Sequence, residues 1–237
     1  MMTSTANASG ATIIIPTRTA VASFKPIEVR TLADRVYDIV RDRILSGDMA
    51  GGEPIRQDAI AGELGISKIP LREALTRLEQ FGLVTSYANR GYVVSSLSAE
   101  EAEEVFALRL KLEPDAIVRG SQCALAADHD AAKAALKMLN AKVDAGSPDQ
   151  GTENRLFHMA LIQPGAGRIT YALIERLTMI VDRYVRLHLR PDGRNSRANA
   201  EHSEILDCWV RRDLRRLDQL VKGHIRETLV DLRQQLR

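Results

Sequence analysis

Three histidines stand in apolar stretches with helical patterning. His158 lies in Asn154-Arg-Leu-Phe-His158-Met-Ala-Leu-Ile, His202 in Glu201-His202-Ser-Glu-Ile-Leu, and His224 in Leu220-Val-Lys-Gly-His224-Ile. Asn154 precedes His158 by four residues, so the two share a helix face. Neutral imidazole is a good ligand for a divalent first-row metal. Three such rings reaching into a bundle core from three helices would make a metal site. Taken one at a time, each histidine reads instead as a hydrogen-bonded core or surface residue, because linear spacing does not bring them together. Of the other two, His129 reads as a helix-start residue and His188 as exposed or at an interface.

A second constellation occupies residues 58–78, DAIAGELGISKIPLREALTRL. Ile60, Ala61, Leu64, Ile66, Leu71, Ala74, Leu75 and Leu78 share an inward side, and Gly65 permits a tight turn between two helices. The later helix then exposes Lys68, Ile69, Arg72, Glu73, Thr76 and Arg77. A helix N-terminus placed in a DNA major groove offers free N–H groups to phosphate, and an arginine fork suits guanine O6 and N7. The tip Asn89-Arg90-Gly91 stands where a wing would follow the minor groove. The plainer alternative is a small helical module with solvated charges. Residues 30–95 carry nine basic and nine acidic side chains. Residues 66–95 carry four basic and two acidic ones, which concentrates positive charge on the later helix and the tip.

The elements that must position these groups follow from periodicity and punctuation. Residues 1–29 are rich in Ser, Thr, Ala and Asn, with Pro16 and Pro26, and read as a disordered tail. A helix begins at Thr31 or Asp34 and stops at Gly47; others are expected over 57–64 and from Lys68 to about Phe81, with Ser67 as N-cap. Pro70 falls in the first turn of the last of these, where a missing N–H does little harm. Two β-rich runs, 83–87 and 92–95, flank the turn and predict a hairpin. Ser98 and Glu101 form a capping-box pattern before a long helix over 98–127, which Pro114 should bend. Further helices are expected over 128–145, 152–163, 168–190, 197–211 and 214–236. The fold class is therefore mainly α: a winged helix-turn-helix, 30–96, followed by an antiparallel bundle of about six helices, 97–237.

Composition bounds the remaining possibilities. The chain has 237 residues, 45% of them hydrophobic and 27% charged, an ordinary globular balance. No stretch approaches the apolar length of a membrane span, and no basic region precedes an apolar core as a secretory signal requires. Cys123 and Cys208 are too few for a disulfide scaffold or a cysteine zinc cluster, and read as reduced packing residues of a cytoplasmic protein. The net charge of +2 leaves any nucleic-acid argument to local pattern.

The motifs resemble a known family. Gly65-Ile66-Ser67-Lys68-Ile69-Pro70-Leu71-Arg72-Glu73-Ala74-Leu75, then Arg77-Leu78-Glu79 and Gly82-Leu83-Val84, are similar to the winged helix of the GntR family of bacterial transcription regulators. Asn89-Arg90-Gly91-Tyr92-Val93-Val94 resembles its wing. The resemblance implies that Ser67, Lys68, Ile69, Arg72, Arg77, Asn89, Arg90 and Gly91 meet double-stranded operator DNA. Lys68 and Ile69 depart from the family's usual Arg and Thr, and lysine lacks the bidentate fork. Residues 98–237 resemble the FCD effector domain of the FadR subgroup, in its six-helix, VanR-like form. The matching pieces are Arg109-Leu-Lys-Leu-Glu113, Leu156-Phe157-His158, Glu201-His202-Ser-Glu-Ile-Leu206 and His224.

That resemblance implies one divalent metal per chain, zinc or nickel, held by Asn154, His158, His202 and His224. Asn154 replaces the usual acid and leaves such a site one unit more positive. It also implies a small organic-acid effector. Arg109 is the first candidate to complete its charge balance, with Arg183 and Arg186 as weaker ones, against the alternative that these arginines form salt bridges between helices. The expected function is a cytoplasmic homodimeric regulator, a repressor, since such proteins read two half-sites. Two rivals remain at this stage: a metal-dependent hydrolase or isomerase fused to a winged helix, and a metal-free ligand or dimerisation module. Against the enzyme, no general base, nucleophile motif or phosphate loop is evident, and Glu201 and Glu204 have no defined orientation.

Overall fold

Thr31 starts the first helix among the described residues by exchanging hydrogen bonds with Asp34: the Asp34 amide donates to Thr31 Oγ1 at 3.1 Å and the Thr31 amide to Asp34 Oδ2 at 2.8 Å. The helix, α1 (Leu32–Ser46), ends at Gly47, whose φ of 81° only glycine adopts without strain. This computed structural model describes residues 30–145, 150–188 and 194–236. The expectations placed on residues 1–29 lie outside the described residues, as do the side chains of Arg186 and His188.

α2 (Gln57–Leu64) and α3 (Lys68–Gln80) follow, separated by Gly65 at φ 63°. Leu71, Ala74, Leu75 and Leu78 of α3 are fully buried against Val36, Val40 and Ile44 of α1. That leaves Lys68, Ile69, Arg72, Glu73, Thr76 and Arg77 exposed, as the apolar spacing predicts. β1 (Val84–Tyr87) and β2 (Gly91–Val94) pair antiparallel from Val84↔Val94 to Tyr87↔Gly91. The tip turns through Asn89 at φ 63° and Gly91 at φ 73°. The segment between α1 and α2 adds to the free edge of β2: the Ile55 amide donates to the Tyr92 carbonyl at 2.8 Å and the Val94 amide to the Glu53 carbonyl at 2.9 Å. The wing is thereby paired on both sides of its second strand.

Six further helices occupy the described remainder: α4 (Ala99–Cys123), α5 (Ala126–Asp144), α6 (Gly151–Ile162), α7 (Arg168–His188), α8 (Arg194–Arg211) and α9 (Leu214–Gln235). α4 continues through Pro114 but stops earlier than the expected 127. Ala124 turns extended at φ −60°, ψ 137°, and the Asp128 carboxylate accepts the Leu125 amide at 2.8 Å to start α5. Trp209, Phe157, Phe106, Tyr184 and Ile117 are the largest buried side chains of the bundle. Trp209 Nε1 donates to the Leu161 carbonyl at 3.1 Å, which ties α8 to α6. Cys208 is buried as expected, whereas Cys123 is exposed; it is the last residue of α4, beyond the helix's packed face.

α7 joins the two hydrophobic cores. Its Met179 is buried among the winged-helix side chains, and Ile180 abuts Gly82. Tyr184 Oη lies 3.1 Å from the Ser98 carbonyl and 2.6 Å from Glu101 Oε2. Thr31–Arg237 is accordingly one compact unit.

Candidate functional site: a histidine cluster and an exposed helix N-terminus

The bundle brings three histidines together. α6 delivers His158 because the neighbouring Phe157, Leu161 and Ile162 are fully buried. α8 delivers His202 beside the buried row Ile205, Leu206 and Trp209, and α9 delivers His224 within the row Leu217, Val221, Ile225 and Leu232. One ligand atom from each ring lies within 4.8 Å of the others. Ring centroids are 4.7 Å apart for His202 and His224, and 5.3 Å for each of these with His158. His202 Nε2 and His224 Nε2 are 3.3 Å apart, and His224 Nδ1 is 2.7 Å from Glu201 Oε2. His158 is 2% exposed, and neither of its ring nitrogens has a hydrogen-bond partner. Burial, and then the neighbouring His202, His224 and Arg109, hold its pKa well below the ordinary imidazole value. A buried neutral imidazole with unpartnered nitrogens is costly unless something binds it. Three convergent nitrogen donors fit a divalent first-row cation. Asn154 is half-buried one turn before His158. Among the described residues no carboxylate oxygen joins the group.

Two of the arginines expected to receive an effector, Arg109 and Arg183, have partners within the chain. Arg109, buried beside the cluster, closes its fork on the fully buried Glu113 one turn along α4, with Nη2 3.0 Å from Oε2. This is a salt bridge within α4, not the bridge between helices that the alternative described. Arg183 is a correction: it bonds the Ser95 carbonyl and faces Glu101, so it holds the junction between wing and bundle rather than lining the histidine pocket. A separate pair, Arg155 and Asp182, ties α6 to α7 at 2.8 Å. Burial pushes the Asp182 carboxyl up to about 7 despite Arg155. A groove of about 310 Å³ lies among α5, α6 and α7, lined by Ala131, Ala135, Met138, Leu156 and Tyr171. Its only charged lining residue is Glu153, which does not suit a carboxylate ligand.

The winged helix presents its own surface. Ser67 precedes α3 in extended conformation, and its hydroxyl makes no capping bond, so the α3 N-terminus keeps free amide donors. Ile69 is 69% exposed. Lys68 Nζ is 2.5 Å from Asp58, and Arg72 Nε donates to Gln57 Oε1 at 3.2 Å, so the first turn of α2 steers both cations. Tyr92 Oη is 3.1 Å from Thr76 Oγ1, and Glu79 accepts the Ser86 amide at 2.8 Å; these hold the wing to α3 with Asn89 and Arg90 outermost. Arg77, on the exposed face of α3, pairs with Asp34 at 2.6 Å and lies 4.5 Å from the Tyr37 ring centroid, bracing α3 against α1. Two Thr31 hydrogen bonds and this arginine hold the Asp34 carboxyl down at about 2.

Sequence reasoning missed Asp182 and Arg155, the contact of Glu201 with His224, and the packing of His129, whose ring meets Trp209 edge-on at 5.4 Å. Glu201 adjoins His202, but its partner lies on another helix. Glu204, left undefined from the sequence, is paired with Arg216 at 2.7 Å.

Comparison with known proteins places these features. Residues 32–94 match the model of bacterial regulatory proteins of the gntR family, and residues 104–227 match the FCD domain model. The chain is 29% identical over 230 residues to the HTH-type transcriptional regulator BphR of Paraburkholderia xenovorans (strain LB400), covering 90% of each chain. It is 24% identical over 206 residues to the HTH-type transcriptional repressor GlaR of Escherichia coli (strain K12), covering 80% of this chain and 90% of that one. The solved structure of E. coli McbR/YncC superposes with a TM-score of 0.77 at 19% identity, over 88% of this chain and all of that one. A GntR regulator from Rhodococcus sp. RHA1 gives 0.73 at 21% identity over 86% of this chain and 99% of its own.

Proposed function

The chain belongs to the GntR family of DNA-binding transcription regulators, with an FCD effector domain, and on that premise we propose that it is a metal-dependent, carboxylate-responsive repressor. Two protomers present α3 to successive major grooves, with Ser67, Lys68, Ile69 and Arg72 at the DNA and Asn89, Arg90 and Gly91 along the backbone. The recognition is cytoplasmic, where the operator is. The observation that carries the metal half is the buried cluster of His158, His202 and His224, with both His158 nitrogens unpartnered.

His158, His202 and His224 hold the cation, zinc or nickel, and the Asn154 carboxamide oxygen completes the set. A divalent ion held there would supply a Lewis acid to which carboxylate oxygens bind. The protein's own part is electrostatic and mechanical. Arg109 stands beside the cluster with its charge balanced by Glu113, so an anionic effector is drawn mainly by the site's uncompensated positive charge. His158 sits one turn from Arg155 on α6, Arg155 grips Asp182 on α7, and α7 carries Met179 into the winged-helix core. A shift of α6 on effector binding therefore alters the footing of the DNA-reading unit, and the effector selects the arrangement it binds better.

Metal analysis of untagged protein beside His158→Ala tests the site. About one zinc or nickel per chain, lost in the variant, is the expected result; no metal in either after loading refutes it. Anisotropy titration of DNA from upstream of the gene tests the DNA assignment. Arg72→Ala should cost about 1–3 kcal/mol of operator affinity with the fold intact, and unchanged affinity refutes it.

A further inference from the structure

His224 differs from His158 in what stands behind its ring. Its Nδ1 is 2.7 Å from Glu201 Oε2, and its Nε2 is directed into the cluster, 3.3 Å from His202 Nε2. Glu201 immediately precedes His202 on α8, so one residue pair supplies a cluster member and the support for the member opposite. Glu201 is itself held from its other side. Arg197, one turn earlier, faces Oε1 at 3.5 Å and also bonds Asp231 on α9. Arg194 reaches the same Asp231 at 2.7 Å.

We propose that Glu201 is a positioning residue for the metal, acting through His224. This rests on the metal reading above and extends it to a residue outside the ligand set. A neutral imidazole has one N–H and one lone pair. A carboxylate at Nδ1 accepts a hydrogen bond and repels a lone pair, so it selects the tautomer with hydrogen on Nδ1. The lone pair then belongs to Nε2, the atom facing the cluster. The second contribution is charge. Three imidazoles and a carboxamide are all neutral, so a divalent cation among them keeps its full charge in a buried pocket. Glu201 places a negative charge one ring away. Arg197, bound to Asp231, restrains that carboxylate from its other oxygen.

The test compares wild type, Glu201→Gln and Glu201→Ala as full-length protein. Zinc affinity is read by competition with a chromophoric chelator, and the His224 tautomer by long-range ¹H–¹⁵N correlation on metal-free protein. Glutamine keeps an acceptor for the Nδ1–H but loses the charge; alanine loses both. Outer-sphere partners of this kind are worth roughly 10- to 100-fold in affinity, so Glu201→Gln should fall near the lower end and Glu201→Ala near the upper. Wild type and Glu201→Gln should show hydrogen on Nδ1, and Glu201→Ala a mixture. A purely structural role for Glu201 would leave the tautomer unmoved. Hydrogen on Nε2 in wild type overturns the inference even if zinc binds, as does equal zinc affinity in all three proteins. Failure of wild type to bind zinc overturns the metal reading and this inference with it.

Discussion

Replacing Arg109 by methionine separates a structural role from an effector-binding one. Arg109 is 3% exposed and Glu113 is fully buried, and they share a two-pronged contact one helical turn apart. Methionine keeps the apolar stem against Phe106, whose ring centroid lies 5.0 Å from the guanidinium carbon. What it removes is the counter-charge of a fully buried carboxyl group. Breaking a buried pair from one side costs about 3–5 kcal/mol, whereas replacing both partners with apolar groups is often neutral. For a chain of this size that loss lowers Tm by roughly 6–20 °C. Arg109→Met is therefore expected to unfold at much lower temperature and urea concentration than wild type, and Arg109→Met/Glu113→Leu to recover most of the difference. The assay is urea and thermal denaturation followed by circular dichroism, arranged as a double-mutant cycle. A single variant within about 1 kcal/mol of wild type, or a double variant no better than the single, refutes the argument. Arg109 would then be free of Glu113 and available to an effector carboxylate.

Two other outcomes follow from the packing. The Asp182 carboxyl, pushed up to about 7 by burial, takes up a proton in the folded chain at pH values where the unfolded chain has already lost it. Its contribution to stability is therefore greatest below the unfolded value near 3.8 and declines as pH rises through 7. A ¹³C-carboxyl titration should show one aspartate midpoint close to 7 that vanishes in Asp182→Asn; absence of any aspartate titrating above 5 would contradict it. Gly120 gives the steric case. A Cβ there would lie 1.9 Å from the Leu161 carbonyl oxygen, so Gly120→Ala must part α4 from α6, at about 3 kcal/mol or more. Gly223→Ala, which meets nothing within 4 Å inside α9, should stabilise by about 0.5–1 kcal/mol. Equal melting temperatures for the two variants would refute that reading.

The local parts of the fold were legible before any coordinates. Gly65, Ser67 and Pro70 mark the turn and the start of α3 through backbone requirements that act within a few residues. The apolar spacing of Leu71, Ala74, Leu75 and Leu78 left the exposed face readable by subtraction. The hairpin tip followed from Asn89 and Gly91, both at positive φ. Errors arose where a neighbour was needed. The helix over 98–127 ended early because an Asp128 hydrogen bond competed at its C-terminus. The pairing of residues 53–55 with β2 carries no local signal, since an edge strand is defined by the strand beside it.

Charged side chains were the least legible. Arg77 and Arg183 have the composition of ligand-binding residues, yet one braces α1 and the other holds the Ser95 carbonyl. A long flexible side chain takes the nearest acceptor, and which acceptor is nearest depends on helices far away in sequence. Residue type and helical phase place His158, His202 and His224 in apolar stretches of helix, and no more than that. Their meeting, with Glu201 behind His224 and Asp182 beneath Arg155, follows from how α6, α7, α8 and α9 cross. Those crossings are set by the volumes of Trp209, Phe157 and the backbone gap at Gly120, where contact between helices replaces spacing along the chain.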